Sequence, residues 1–300
     1  RMGESTVVNS SPWIAICAFF YFIQAENHIL NTHILGGYMN SIKDINCYLL
    51  DMDGTIYLGD QLIDGAKEFL QALRDNGKKY LFLTNNSSKD KQAYVDKLNG
   101  LGISAEEDDV FSSGDATIYY LKKNTNFKKI FLLGTEALIR SFVKAGFEVV
   151  SEKNAEVDCV VLGFDTTLTY DKLWAACDYV REVPYFATHP DFNCPLADEK
   201  VMPDVGAMIA FIKASTGKEP IVIGKPNQPM LDSIVDIYNF DKSELAMVGD
   251  RLYTDIKMGE DLGIQSILVL SGETSMEDYE KSPINANHIF DSVKYIINQL

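Results

Sequence analysis

The sequence predicts an α/β fold: a doubly wound parallel sheet interrupted by an inserted second α/β domain. Two observations carry this reading. From residue 45 onward, short apolar runs alternate with amphipathic stretches, the pattern of βαβ units. Four of the apolar runs end in polar residues, and the second and third of these ends, Thr84 and Lys225, stand 225 − 84 = 141 residues apart. One crossover needs far less chain than that, so a further domain must lie between them.

The elements follow in order. Strand one is residues 45–50. Residues 65–75 are a helix (AKEFLQALRD) stopped by Asn76-Gly77. Residues 79–83 (KYLFL) form strand two, which ends at Thr84-Asn85-Asn86-Ser87-Ser88; residues 89–98 are a helix closed by Asn99-Gly100. Residues 110–113 read as a short strand and 115–123 as its helix. A second series runs strand 129–133, helix 136–145, strands 147–150 and 157–164, helix 170–181, strand 185–188 and helix 206–215. A third resumes with strand 221–224 (IVIG), helix 228–238, strand 245–248, helix 253–262 and strand 264–270, then closes with strand 288–290 and a helix from Ser292. The charge run Glu106-Glu107-Asp108-Asp109 reads as a solvated turn. There is no internal repeat and no low-complexity tract.

Composition bounds the function. With 300 residues, 46% hydrophobic and 23% charged, the chain fits a soluble globular protein of one large or two ordinary domains. A net charge of −16 argues against nucleic acid on a basic face and against an anionic membrane. It does not argue against a small phosphorylated ligand, because a metal ion and a lysine can reverse the field inside a cleft. Cys17, Cys47, Cys159, Cys177 and Cys194 are spread along the chain without a C-x-x-C pair. A disulfide framework or a zinc site is therefore not expected, and a reducing cytoplasm is. Dinucleotide and Walker-type glycine loops are missing from the sequence. The first 38 residues look different. The apolar run 13–23 is too short to span a bilayer, which takes about 20 residues. Three readings stand for residues 1–38: non-native sequence upstream of a physiological start at Met39, a secretory signal or anchor, and a packed extension. The first is the expectation, with residues 1–38 a non-native or poorly packed extension.

The chemistry gathers at strand ends, where an open α/β sheet binds its ligands. Strand one ends in Asp51-Met52-Asp53-Gly54-Thr55. Carboxylates spaced i, i+2 let one face a reacting centre while the second flanks it. Gly54 permits the tight exit and Thr55 can anchor it by hydrogen bonds. Strand two supplies Thr84 and Asn85; Gly224-Lys225-Pro226 supplies a lysine; Gly249-Asp250-Arg251 supplies another carboxylate, with Asp255 five residues on. A carboxylate can take up a phosphoryl group as an aspartyl-phosphate. Neighbouring carboxylates need a divalent cation to offset their repulsion, and an oxygen-only site suits Mg²⁺. A hydroxyl and a lysine can hold phosphoryl oxygens. Each element has a plainer role when taken singly: a solvated turn for Asp-x-Asp, a helix cap for Thr84-Asn85, an exposed turn at Lys225, a strand-to-helix turn at Gly249-Asp250, a helix-surface position for Asp255. Their joint occurrence, in this order and each at a strand end, makes the plainer account improbable.

As a set, these residues resemble the four motifs of haloacid dehalogenase (HAD) superfamily phosphatases over residues 45–300, and most closely the NagD-like, 4-nitrophenylphosphatase branch. Leu83-Thr84-Asn85-Asn86-Ser87, Ala187-Thr188-His189-Pro190-Asp191 and Gly224-Lys225-Pro226-Asn227 are similar to stretches of that branch. The resemblance implies a Rossmann-like core at 39–125 and 218–300 with an α/β cap at 126–217, hinged near Asn124-Thr125-Asn126 and Thr216-Gly217-Lys218. It implies a phosphomonoester hydrolase acting on small phosphorylated metabolites of the 4-nitrophenyl phosphate, nucleoside monophosphate or sugar phosphate type. Asp51 would be the nucleophile and Asp53 the acid and then base. Thr84, Asn85 and Lys225 would hold the phosphoryl group. Asp51, Asp250 and the backbone carbonyl of Asp53 would hold Mg²⁺, with Asp255 supporting from behind. Dimerisation through the cap is also implied.

Other classes fit less well. A receiver-like or non-turnover phosphate-binding signalling protein combines strand-end Asp, Thr and Lys, but a receiver needs only about 120 residues and no inserted domain. A haloacid dehalogenase proper lacks the second aspartate. A phosphomutase usually carries its cap between the first two motifs, where only 84 − 53 = 31 residues are available. Substrate choice is expected from the loop 188–198 through His189, Asp191 and Cys194. For His189, a substrate contact and a loop histidine in solvent both stand as readings. The resemblance, aligned on the Pro195-Leu196 that follows, sets Cys194 where some vitamin-phosphate-specific relatives carry a substrate-contacting histidine, which argues against pyridoxal phosphate. Trp174 and Cys177 are expected in core or interface.

Overall fold

The computed structural model describes residues 41–151, 153, 155–196 and 200–300. The expected N-terminal extension, residues 1–38, and the proposed start at Met39 lie outside them. The chain opens with β1 (Cys47–Leu50), a tight hairpin of β2 (Tyr57–Leu58) and β3 (Gln61–Leu62), α1 (Ala66–Asp75), β4 (Lys79–Thr84), α2 (Lys91–Gly100), β5 (Val110–Ser112) and α3 (Ser113–Asn124). It then enters the inserted series: β6 (Lys129–Leu133), α4 (Glu136–Lys144), β7 (Glu148–Val150), β8 (Cys159–Leu162), α5 (Tyr170–Tyr179), β9 (Tyr185–Ala187), the hairpin β10 (Asn193–Pro195) and β11 (Val201–Pro203), α6 (Val205–Thr216) and β12 (Ile221–Val222). It returns through α7 (Gln228–Tyr238), β13 (Leu245–Gly249), α8 (Lys257–Leu262), β14 (Gln265–Val269), α9 (Met276–Lys281) and β15 (His288–Phe290).

Two parallel sheets result. The first has the order β15-β14-β13-β1-β4-β5 and the second β12-β9-β8-β6-β7. Both are wholly parallel across their paired strands, as the strand–helix alternation requires. The first sheet winds outward in both directions from β1 and β13, the doubly wound arrangement. One expected strand changes place: Ile221–Val222, expected to rejoin the first sheet, pairs instead with Phe186 and Ala187 of β9. The second sheet therefore continues past residue 217. A two-residue apolar run carries no register information of its own, so pairing with a neighbour decided its sheet.

Smaller differences have similar causes. The β2–β3 and β10–β11 hairpins and α9 were not expected, because each is too short to set up a periodic pattern. The closing segment after Ser292 is a 3₁₀ helix, Val293–Gln299, rather than an α-helix. Before α8, Leu252–Ile256 makes a π-helical turn, a local widening that often marks functional positions.

Alternation along β1 feeds two cores. Tyr48 and Leu50 join a cluster with Phe69, Phe82 and Val248 on one face of the first sheet. Cys47 and Leu49 face the other way, into a cluster that also holds Ile130, Leu132, Phe142 and Phe186 of the inserted series. That shared cluster ties the two sheets together. Cys177 is buried in a third cluster beyond the second sheet. Trp174, expected in core or interface, is 51% exposed, with the Lys153 ammonium over its ring. Among the described residues, no helix is long and apolar enough to cross a membrane. Because Leu49 is fully buried in the cluster joining both sheets, Leu49→Ala should lower unfolding free energy by about 2–5 kcal/mol, read from the denaturant midpoint. A change below about 0.5 kcal/mol would mean the sheets are not joined through this core.

Candidate active site

Strand order reverses between β1 and β13, and both strands end in an aspartate. The Asp51 N–H still donates to Val248 O at 2.9 Å, so Asp51 leaves the sheet alongside Gly249 and Asp250. The chain then turns back on itself: Ile56 and Tyr57 both donate to Met52 O, at 2.9 and 3.1 Å. Gly54 sits in this turn at φ 91°, and a Cβ there would fall 2.3 Å from Asp250. From the other side, a Cβ on Gly272 would fall 2.0 Å from the same carboxylate. Glycine at both positions is what lets Asp250 approach. Thr55, expected to anchor the turn through its side chain, is buried with its hydroxyl unpaired. Only its backbone reaches Met52 O.

Lys225 arrives from the loop before α7 and is 2% exposed. Its Nζ donates to Asp51 Oδ1 at 2.6 Å and to Asp255 Oδ1 at 2.7 Å. Burial opposes this charge, but Asp255 and Asp51 outweigh it and hold the ammonium above the ordinary lysine range. Asp51 feels the opposite balance. Burial, only partly offset by Lys225, pushes its carboxyl up to about 7. Asp250 is pushed well above the carboxylate range by burial and by Asp51 and Asp255. Its Oδ2 accepts the Glu273 N–H at 2.6 Å, while its Oδ1 is buried without a partner.

Carboxylate oxygens of Asp51, Asp250 and Asp255 lie within 4.8 Å of one another. Three converging carboxylates, one with an orphaned buried oxygen, form a hard-oxygen donor set that a divalent cation fits. Asp255, expected to act from behind, accepts Lys225 Nζ on Oδ1 and the Arg251 N–H at 3.1 Å on Oδ2, while the Asp53 side chain is exposed and outside the group. A cavity of about 90 Å³ opens in front, lined by Asp51, Asp53, Thr84, Asn85, Lys225 and Arg251. Thus the expected nucleophile, acid and phosphoryl-holding residues line one cavity. A larger surface hollow of about 680 Å³, along Lys129, Lys153 and Tyr179, contains no strand-end constellation.

Asn85 acts as a clamp. Its Oδ1 accepts the Lys225 N–H at 2.9 Å, and its Nδ2 donates to Lys225 O at 3.0 Å and to Asp191 at 3.2 Å. Asp191 also faces Arg251 at 3.6 Å, so a residue after β9 touches two ends of the first sheet. Asp191 and Cys194 both line the cavity, as expected of substrate-reading positions. His189 corrects the sequence reading. It is neither in solvent nor among the cavity-lining residues, but fully buried behind them, 3.6 Å from Asp191 and 3.5 Å from Asp204, with neither ring nitrogen hydrogen-bonded. Part of its expected loop, residues 197–199, lies outside the described residues; Asn193–Pro195 is a strand.

Four charged cavity residues were not singled out from sequence: Arg251, Asp204, Lys89 and Lys97. Arg251 stood inside the quoted Gly249-Asp250-Arg251 and could have been found there. It ion-pairs with Glu273 at 3.0 Å, without hydrogen-bond alignment. Lys97 lies on α2 and Lys89 just before its Asp90 cap, and nothing in their local sequence signals a site. Asp204 caps α6 by accepting the Val205 N–H, and nothing in its local sequence signals a site.

Known proteins resemble this chain over nearly all the described residues. A model of the haloacid dehalogenase-like hydrolases matches residues 48–148, and a HAD-hydrolase-like model matches residues 222–296. Chloroplastic phosphoglycolate phosphatase 1A of Arabidopsis thaliana is 36% identical over 267 residues, covering 81% of this chain and 73% of the relative. The crystal structure of a 4-nitrophenylphosphatase from Thermotoga maritima superposes with a TM-score of 0.81 at 44% identity, over 86% of this chain and 98% of that one. A glycerol phosphate phosphatase from Mycobacterium tuberculosis, in complex with magnesium, gives a TM-score of 0.77 at 29% identity, over 86% and 78%.

The buried histidine makes stability depend on pH. Burial first, then Arg251 and Lys225, lower His189 to about 3, whereas the unfolded side chain takes a proton below about 6.5. Its contribution is intact above pH 6.5 and is lost as pH falls toward 3. Asp204, pushed up to about 7 by burial, works in the opposite sense, gaining stability as pH falls. His189→Leu should therefore reduce the stability lost between pH 7 and pH 4 by on the order of a few kcal/mol, measured by denaturant unfolding at each pH. An unchanged pH profile would contradict a neutral buried His189.

Proposed function

The chain belongs to the haloacid dehalogenase-like hydrolases as a phosphatase of the NagD-like, 4-nitrophenylphosphatase kind, and from that premise we propose a Mg²⁺-dependent phosphomonoesterase that works through an aspartyl-phosphate on Asp51. The observation that carries the proposal is the convergence of Asp51, Asp250 and Asp255 around the buried Lys225 ammonium at a strand-order reversal. Asp51, Asp250 and the backbone carbonyl of Asp53 would hold the ion, with Asp255 supporting beside them, and its chemistry is to neutralise carboxylate and phosphoryl charge. The magnesium complex of the mycobacterial glycerol phosphate phosphatase supports that choice.

The chain's own residues divide the work. Lys225 fixes one oxygen of Asp51 at 2.6 Å and so directs the carboxylate toward the cavity. Asp51 attacks phosphorus from there, with the leaving oxygen departing on the opposite side. Asp53, exposed at the cavity, gives its proton to that oxygen and then takes one from the water that opens the aspartyl-phosphate. Thr84 and the Asn85 backbone hold phosphoryl oxygens, with Lys225 balancing their charge. The Asn85 side chain is already committed to Lys225 and Asp191. Substrates are small phosphomonoesters, whose phosphoryl end the cavity of about 90 Å³ would take. The names of the relatives, covering phosphoglycolate, 4-nitrophenyl and glycerol phosphate, support that range. A receiver-like or non-turnover role has no observation in its favour.

Phosphate release from 4-nitrophenyl phosphate with Mg²⁺ tests the proposal. Asp51→Asn should lower turnover more than ~100-fold, and Asp53→Ala by ~10²–10⁴-fold. EDTA should abolish release and added Mg²⁺ restore it. Turnover by Asp51→Asn within about tenfold of wild type would remove Asp51 as the nucleophile.

A further inference from the structure

Arg251 stands just past the end of β13, and its backbone is fixed. Its N–H donates to Asp255 Oδ2 at 3.1 Å, and its carbonyl accepts the Asp255 and Ile256 N–H groups at 3.0 and 3.2 Å. The side chain is held far less firmly. It is only 16% exposed and lines the cavity together with Asp51, Thr84, Asn85 and Lys225. Its Nε is buried without a hydrogen-bond partner. Two carboxylates lie near the guanidinium, Glu273 at 3.0 Å and Asp191 at 3.6 Å, but the first is misaligned for a hydrogen bond and the second too distant. A guanidinium offers five N–H donors in a rigid fork, and burying such donors unmatched is costly.

These two contacts make a poor structural tie. Asp191 already accepts Asn85 Nδ2 on both oxygens, at 3.2 and 3.3 Å. Glu273 serves the site through its backbone N–H on Asp250, and its side chain is 42% exposed. The electrostatics point into the cavity instead. Burial opposes the Arg251 charge, and Asp51 is the strongest of the groups that sustain it. The other cations added to the cavity lining sit nearer water: Lys89 is exposed and Lys97 half-buried. Charge balance adds a need. Asp51, Asp250 and Asp255 are offset by Lys225 and one divalent cation, which leaves that cluster near neutral. A phosphoryl dianion arriving at Asp51 calls for a further cation, and its oxygens match a guanidinium fork.

We propose that Arg251 is a catalytic residue whose guanidinium donates to the phosphoryl oxygens in front of Asp51 and stabilises their charge as the aspartyl-phosphate forms and breaks. This rests on the phosphatase reading above and adds a group to its machinery. Asp191 and Glu273 keep the guanidinium at the cavity, too poorly aligned to compete with a phosphoryl group. Removing one such preorganised donor typically lowers turnover by ~10²–10³-fold.

The test pairs two readouts, both with Mg²⁺ present: kcat/KM for 4-nitrophenyl phosphate, and the calorimetric affinity for inorganic phosphate. Wild type is compared with Arg251→Gln, Arg251→Lys and Glu273→Gln, each checked for folding by thermal unfolding. Arg251→Gln should lose ~10²-fold or more in kcat/KM and bind phosphate about tenfold or more weakly. Glu273→Gln, which removes only the exposed tether, should stay within about fivefold of wild type in both. A folded Arg251→Gln within about fivefold of wild type in both readouts overturns the proposal. So does an equal loss in Glu273→Gln, which would make Arg251 a tie between loops. If Arg251→Gln does not fold, Arg251→Lys decides: phosphate affinity about tenfold or more below wild type supports the contact, and wild-type affinity overturns it. In each of these cases hydrolysis by wild type leaves the phosphatase reading standing. A wild type that neither hydrolyses the ester nor binds phosphate brings down both readings together.

Discussion

One buried ammonium holds this site together. Lys225 Nζ reaches Asp51 and Asp255 at 2.6 and 2.7 Å, with Asp250 completing the carboxylate group. Buried charge is tolerated only when paired, and removing one partner of such a set typically costs about 3–5 kcal/mol. Three carboxylates facing a single lysine leave the group short of positive charge. That deficit explains why burial keeps Asp51 and Asp250 protonated to unusually high pH, and why the donor set suits a divalent cation. The glycines at 54 and 272 belong to the same constraint, since any side chain there would displace Asp250.

The inserted series is bound into this arrangement from both sides. Below, an apolar cluster shared by Leu49, Leu83, Ile130, Leu132 and Phe186 joins the two sheets. Above, Asn85 grips the Lys225 backbone with one side of its amide and Asp191 with the other. Asp191 in turn faces Arg251. Residues from three strand ends and one insertion thus meet over a small cavity. Rigid placement of this kind is what a phosphoryl-transfer site needs, because its catalysis is mostly positioning and charge stabilisation.

The parts legible in sequence were those set by long patterns or by joint spacing. The βαβ alternation predicted both parallel sheets, and the 141-residue gap between Thr84 and Lys225 predicted the insertion. Asp51, Asp53, Thr84, Asn85 and Lys225 were predicted to meet because each was read at a strand end, and all line one cavity, although the strand before Lys225 belongs to the second sheet. What sequence missed depends on neighbours distant in the chain. Ile221–Val222 is too short to choose its sheet. His189 reads as a polar loop residue until tertiary packing encloses it between Asp191 and Asp204. Lys89 and Lys97 read as ordinary surface lysines, and only the fold brings them to the cavity lining, near the rings of Tyr94 and Tyr57.

The central claim is that Asp51 becomes covalently phosphorylated, and acid-quenched peptide mass spectrometry during turnover of 4-nitrophenyl phosphate tests it most directly. The account predicts one added phosphoryl group on the peptide containing Asp51, absent from Asp51→Asn, with Asp53 in the same peptide unmodified. Turnover with no protein-bound phosphoryl group, and inversion rather than retention of configuration at an isotopically chiral phosphorus, would contradict it.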